Sequence, residues 1–236
     1  IMFALWVLIV DVLKIAPRAL PSPFAVAGEL VTHADIILED MGITATNALI
    51  GLAAGAIVAI VAAGLAATFR PIDGMLAPLV AAIAVVPIVA ITPILNTMFG
   101  ASSQFGRQSI AALAAFVPVF INVVRGLRQT RPVHRDLLRA SGASGSQTFR
   151  FLTLPTALPY LVTGLRVASS LAVIAALVAE YFGGPADGIG TAIAGYAKSG
   201  KAALAFAYVV GGVAIGLAFF LVTLLLEWLV TRRRPT

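Results

Sequence analysis

HRDLLRASGASGSQTFRFLTLP, residues 134–155, carries three arginines, an aspartate and a glycine- and serine-rich centre. It sits in a chain that is otherwise suited to lipid. Of 236 residues, 60% are hydrophobic and 11% charged, against about 25% charged in soluble domains. Residues 41–69, 74–106 and 202–226 contain no Asp, Glu, Lys or Arg. A helix crosses the hydrocarbon core with ~20 apolar residues, and each run supplies them. Runs such as LIGLAAGAIVAIVAAGLAA do not alternate apolar with polar residues, as strands of a membrane barrel would. The expected class is an all-α membrane protein.

Moving outward from the quoted stretch, six crossings are expected, at about 1–15, 43–68, 74–97, 107–126, 157–183 and 203–229. The chain opens at Ile1 inside an apolar segment, which points to residues missing before it. No basic region precedes that segment and no small-residue cleavage site follows, so a signal peptide is disfavoured. Asp11 and Lys14 read instead as the frayed outer end of a first crossing. Between the first two crossings, PRALPSPFAVAGELVTHADIILEDMG reads as an extended loop and a short helix at the membrane surface. Pro87 and Pro93 each remove a backbone donor and should bend the third crossing.

If six helices alternate, Arg70, six arginines between 125 and 150, and Arg232, Arg233 and Arg234 fall on one side: ten of the sixteen cations. Cytoplasmic loops accumulate Lys and Arg, so this side is expected to be cytoplasmic, with both termini. The same bias accounts for the net charge of +6 without invoking nucleic acid. No cysteine is present, which removes disulfides and thiolate metal sites. Gly51-x-x-x-Gly55 and Gly212-x-x-x-Gly216 offer small faces for helix packing, within the chain or in a dimer.

The insertion lies within a loop, residues 127–156, between the fourth and fifth crossings. Loops this long in compact proteins are usually functional. RDLLRAS is helix-prone, with Leu137 and Leu138 on a polar surface. Gly142 and Gly145 interrupt it, and QTFRFLTLP forms a second amphipathic piece closing at Pro155. An amphipathic helix held outside the bilayer is suited to a groove on another protein.

On these residues the segment resembles the EAA loop of bacterial ABC importer permeases, E-A-A-x3-G-x9-I-x-L-P. Asp136, Leu137 and Leu138 take the E-A-A places and Gly142 the glycine. Leu152 takes the isoleucine, and Leu154-Pro155 the final pair. LPSPFAV, VTGLRVASSLAV and AEYFGGPADGIGTAI are similar to the nitrate, sulfonate, taurine and thiamine-precursor branch of that family. The resemblance covers essentially the whole chain, with Asp for Glu and two leucines for the alanine pair as departures. It implies a type I importer permease fold of about six transmembrane helices in a single domain, 1–236, with a cytoplasmic coupling helix. By the same resemblance Asp136 and Arg139 make polar contacts with a cytoplasmic ATPase subunit. Leu137, Leu138 and Ala143 fill the apolar part of its cleft, and Gly142 gives the turn. It also implies an external solute-binding protein, a homodimer in a bacterial membrane, and no cofactor on this chain, since ATP and Mg²⁺ belong to the ATPase.

For the substrate path, ionisable groups inside crossings are the first candidates. Glu180 lies within a turn of the outer end of the fifth crossing, with Tyr181 beside it. Asn96, Thr92 and Asn122 are uncharged polar groups in the third and fourth crossings, able to bond a solute or to join helices. Arg166 lies near enough to the cytoplasmic end to snorkel. GYAKSGKA, residues 195–202, approaches a P-loop, but Ala202 replaces the Ser or Thr that would hold Mg²⁺. A self-sufficient secondary transporter or channel is the alternative, and would carry more paired intramembrane charge. A membrane enzyme is disfavoured: His33 and His134 are the only histidines, and no metal or catalytic motif includes them.

Overall fold

The computed structural model describes residues 6–10, 16–100 and 103–232. Residues 6–10 are helical, and the rest of the first expected crossing lies outside the described residues. Ten helices follow: α1 Pro23–Thr32, α2 Ala34–Thr68, α3 Arg70–Val85, α4 Ile88–Phe99, α5 Phe105–Arg128, α6 Pro132–Ala140, α7 Gly145–Thr148, α8 Leu154–Tyr181, α9 Ile189–Lys198 and α10 Ala202–Arg232. No strand occurs among the described residues. α2, α5, α10 and the helical run 145–181 are each long and apolar enough to cross a membrane. The α3–α4 pair, bent by 101°, is apolar enough only when taken together, as a broken crossing or a re-entrant turn.

Packing follows the rule for helices in lipid, where burial gives little drive and close backbone approach gives much. Ala56, Ala59, Ala63 and Ala66 of α2 are buried, while Ile57 and Val61 are 63% and 58% exposed. Ala168 and Ala172 of α8 and Ala111 and Ala115 of α5 are also buried. Along these faces small residues turn inward while large apolar side chains of α2 turn outward. A Cβ at Gly55 would collide with the Ala112 carbonyl oxygen, and one at Gly126 would come within 2.8 Å of Tyr160 Cβ. Gly55 therefore packs within the chain, as Gly212 does against Leu177 and Ile189, whereas a Cβ on Gly216 would meet nothing within 4 Å.

The chain divides into two compact units. One comprises residues 1–48, 88–110 and 173–217; the other 49–87, 111–172 and 218–236. In the first, Ile37, Ile110, Ala176, Ile189 and Tyr208 are buried. In the second, Val119 and Phe120 of α5 are buried, as are alanines of α2, α5 and α8.

Several elements depart from the expected boundaries. The surface helix is only α1, capped by Ser22, whose hydroxyl accepts from Ala25 N, with Pro23 in the first turn. Residues 34–42, expected at the surface, are the opening turns of α2. Its 35 residues span roughly 52 Å, well beyond the ~30 Å hydrocarbon core, so Asp35, Glu39 and Asp40 need not enter it. The third crossing breaks at Val86, which is extended (φ −70°, ψ 126°) because a following proline disfavours the helical region. Pro93 stays inside α4, and Thr97 Oγ1 donates to its carbonyl at 2.8 Å.

Pro155 does not close the loop either. Residues 149–153 form a π turn that joins α7 to α8 in one helical run, 145–181. Leu154 N–H donates to Phe149 O, one residue beyond the α register. Pro155 then occupies the first turn of α8, and Thr156 Oγ1 donates to Leu152 O at 2.7 Å. The wider register takes up the place where proline cannot donate.

Candidate functional site

Two assemblies carry the candidate residues, one in each unit. In the second unit, α6 stands exposed with no buried residue. Leu137 is 64% exposed, and Leu138 and Ala143 are half-buried. Asp136 and Arg139 approach to 3.8 Å with about 70% of each side chain exposed. An exposed ion pair of that length contributes close to nothing to stability, so both groups are available to a partner.

Gly142 ends the helix in the left-handed region, φ +77°. Gly142 N–H donates to Arg139 O at 2.9 Å and Ala143 N–H to Leu138 O at 2.9 Å. This is the Schellman pattern, in which a left-handed residue just past the helix satisfies its last carbonyls. Two residues on, Ser144 and Gln147 form a reciprocal capping box that starts α7. The segment is thus a helix–turn–helix with both inner ends capped by its own sequence. Leu154 is 46% exposed and Phe151 68%, while Pro155 is half-buried.

In the first unit a polar network surrounds α9, a helix absent from the sequence expectation. Three consecutive donors at its N-terminus have side-chain acceptors: Gly188 N–H to Asp40 Oδ1 at 2.8 Å, Ile189 N–H to Thr44 Oγ1 at 3.0 Å, and Gly190 N–H to Glu180 Oε2 at 2.9 Å. Thr44 Oγ1 in turn donates to Glu180 Oε2 at 2.8 Å. Helix N-termini leave such donors orphaned and favour negative charge. Glu180, 1% exposed, is therefore a cap delivered from α8. A Cβ on Gly188 would lie 2.7 Å from Glu180 Cδ, so only glycine permits this approach.

Arg107 completes the network and is fully buried. Its Nη1 pairs with Asp187 Oδ1 at 2.6 Å and its Nη2 donates to Pro185 O at 2.5 Å and Thr191 Oγ1 at 3.1 Å. Gln104 Nε2 bonds Asp187, and Asn47 Nδ2 donates to Gln104 Oε1. Asn96 is 9% exposed and Thr92 fully buried. Cβ atoms placed on Gly183 or Gly184 would fall 3.4–3.5 Å from the Asn96 amide, so that amide lies under the same loop. Tyr181 is 44% exposed. Asn122 belongs to the other unit and donates to Pro118 O of its own helix at 2.8 Å.

Arg166 does not simply snorkel: its Nη1 pairs with Glu227 Oε2 of α10 at 2.7 Å, and Thr163 donates to Glu227 Oε1 at 2.6 Å. The P-loop-like stretch is a helix end. Gly200, φ +74°, closes α9 with Lys201 N–H donating to Tyr196 O. No group of His, Asp and Glu that could hold a metal occurs among the described residues.

An exposed helix with a capped turn thus lies between apolar crossings. Residues 51–235 match the family described as binding-protein-dependent transport system inner membrane component. The chain belongs to this family. The permease is 30% identical over 193 residues to the "Probable ABC transporter permease protein" of Haemophilus influenzae, covering 80% of this chain and 77% of that protein. It is 30% identical over 168 residues to the formylaminopyrimidine transport permease protein of Halalkalibacterium halodurans, covering 71% and 67%. With the taurine transport system permease protein of Escherichia coli the identity is 28% over 177 residues, covering 71% and 63%. The chain is the membrane-spanning permease subunit of an ABC import system, a multi-pass protein without an enzymatic role, working with ATPase and solute-binding partners.

Sequence reasoning missed Arg107, Asp187, Gln104, Asn47 and Thr44. One signal was present: a lone arginine closing a charge-free run, with an aspartate in a glycine-rich loop further on. Their pairing spans 80 residues, and no local pattern reveals it.

Proposed function

We propose that α6 and the turn at Gly142 are the site where a cytoplasmic ATPase grips the permease. In this reading Leu137, Leu138 and Ala143 enter an apolar cleft, Asp136 and Arg139 bond its rim, and Leu154 and Pro155 anchor the second arm to α8. The observation that carries it is the exposure of Leu137 on a helix that buries nothing of its own yet is capped at its turn. The segment faces the cytoplasm, as do both termini, because the arginines cluster there. Two copies of the chain form the path, one ATPase seats on each, and ATP and Mg²⁺ reside in those ATPases.

The transported solute is a small anion or heteroaromatic vitamin precursor delivered by the external receptor. Two similar permeases are named for solutes as different as formylaminopyrimidine and taurine, so the receptor does much of the selecting. Within the path, Tyr181, Asn96 and Thr92 are the contacts proposed near the outer end and Asn122 deeper. Glu180 acts there as a positioning residue, through α9.

The permease has no cysteine, so Leu137→Cys introduces a unique thiol. In membranes containing the assembled transporter it should cross-link to the ATPase. Labelling of that thiol by an impermeant reagent from outside intact cells would overturn the assignment, as would absence of any ATPase adduct during turnover.

A further inference from the structure

We propose that a groove along the last turns of α2 binds an anionic phospholipid, with Arg135 holding the phosphate and α2 supporting an acyl chain. The groove has a volume of about 480 Å³ and is lined by Ile60, Val61, Gly64, Leu65, Ala67 and Thr68 of α2 together with Leu127, Arg135, Phe149 and Thr153. That is within the range of small-molecule sites. Its α2 wall is apolar: Ile60, Val61 and Leu65 are 38%, 58% and 43% exposed, and Phe149 is 50% exposed. Gly64 floors it, and a Cβ there would meet nothing within 4 Å. The space over Gly64 is open.

Charge identifies the occupant. Arg135 is the one charged residue lining the groove, and no carboxylate pairs with it among the described residues. Its Nη2 donates to Thr130 Oγ1 at 2.7 Å, which leaves most of its five N–H donors for an anion. A water-soluble anion would gain nothing from the α2 wall, and a neutral lipid would leave the guanidinium uncompensated. A zwitterionic lipid brings a cation along with its phosphate. An anionic phospholipid satisfies both halves, and because α2 crosses the membrane, lipid is already the solvent of Ile60, Val61 and Leu65. Arg135 stands on α6, but it lines this groove, and the test needs no ATPase.

The test places a reporter in the groove. The full-length permease carrying Leu65→Trp is reconstituted in phosphatidylcholine vesicles containing brominated phosphatidylglycerol or brominated phosphatidylcholine. The signal of Trp6 and Trp228 is subtracted using the parent protein. Val61→Trp serves as a second reporter should the first fail to fold. The introduced indole should show about fivefold stronger association with phosphatidylglycerol, the order expected for one cation at an anionic surface. Arg135→Gln should bring the ratio to about one, Arg135→Lys should retain part of it, and Gly64→Leu should abolish it by filling the open space. Equal quenching by the two lipids, a preference that survives Arg135→Gln or Gly64→Leu, or an indole reached by neither lipid because a protein covers it, would each overturn the proposal.

Discussion

Replacing Gly142 isolates the turn from everything around it. The residue sits at φ +77°, yet a Cβ there would meet nothing within 4 Å. Substitution therefore adds no clash inside the permease, only the cost of holding an L-residue in the left-handed region, roughly 1–2 kcal/mol for alanine. Asparagine visits that region routinely and should cost less, while β-branched valine should cost more. A cost of 1–2 kcal/mol lowers the population of the closed turn by a factor of roughly 5–30. What is lost when the turn opens is the pair of bonds from Gly142 N–H and Ala143 N–H to the end of α6, and with them the angle between α6 and α7. Because α6 buries no residue, thermal unfolding of the solubilised permease should hardly move. In the reconstituted transporter, solute-stimulated ATP hydrolysis and uptake should fall in the order Gly142→Asn, Gly142→Ala, Gly142→Val. Wild-type coupling in Gly142→Val would refute the reasoning. So would equal damage from asparagine and valine, since that would mean a collision with the partner and not the shape of the turn.

Three further outcomes concern the membrane fold. Glu180→Ala leaves the buried Thr44 hydroxyl and Gly190 N–H without their acceptor and should lower stability by about 1–3 kcal/mol, read as a fall in thermal unfolding temperature and faster exchange of α9 amides; unchanged exchange would remove Glu180 as its cap. Asp187→Ala should destabilise more than Arg107→Met, because the first strands a fully buried guanidinium while the second frees a carboxylate that is 37% exposed; the stranded charge costs about 3 kcal/mol or more, and a reversed order in thermal melts would contradict this. Gly55→Ala should destabilise by about 1–3 kcal/mol through collision with the Ala112 backbone. Gly216→Ala, with open space, should be neutral or stabilising by up to about 1 kcal/mol, so similar melts for the two would show that Gly55 is not a packing contact.

Much of the fold was legible because lipid leaves a coarse mark: charge-free runs locate α2, the α3–α4 pair and α10 whatever their packing. The turn within residues 134–155 was legible too, since Gly142 is a local breaker; the Ser144–Gln147 box that follows it, equally local, has no counterpart in the sequence expectation. What stayed hidden depends on distant pairs. α9 is short, and its N-terminus is specified by Asp40, Thr44 and Glu180, which lie 148, 145 and 10 residues from their partners. From sequence Glu180 reads as an ionisable group in a crossing and hence as a solute contact. Only the geometry shows that its Oε2 already accepts from Thr44 and Gly190. The surface helix was overextended for a related reason: Asp35, Glu39 and Asp40 look interfacial, but helix continuity is decided by the absence of a breaker between Ala34 and Thr68.

The π turn bears on how the docking segment could work. α6 has nine residues, below the ~12–15 at which an isolated helix is even marginal in water, and it has no packing to make up the difference. It holds its shape through the capped turn at its C-terminus and, in the proposed assembly, through the ATPase. The second arm is different: α7 runs through residues 149–153 into α8 without interruption, so displacement of the turn at Gly142 acts on the base of a membrane-crossing helix and not on a slack linker. Had Pro155 ended the arm, as its position in sequence invites, the joint would have been a hinge. The wider register at Phe149–Thr153 keeps it a rod while leaving one turn with poorer hydrogen bonding than an α-helix. Compliance in this arm is therefore concentrated at the π turn, one step inside the surface proposed to meet the ATPase.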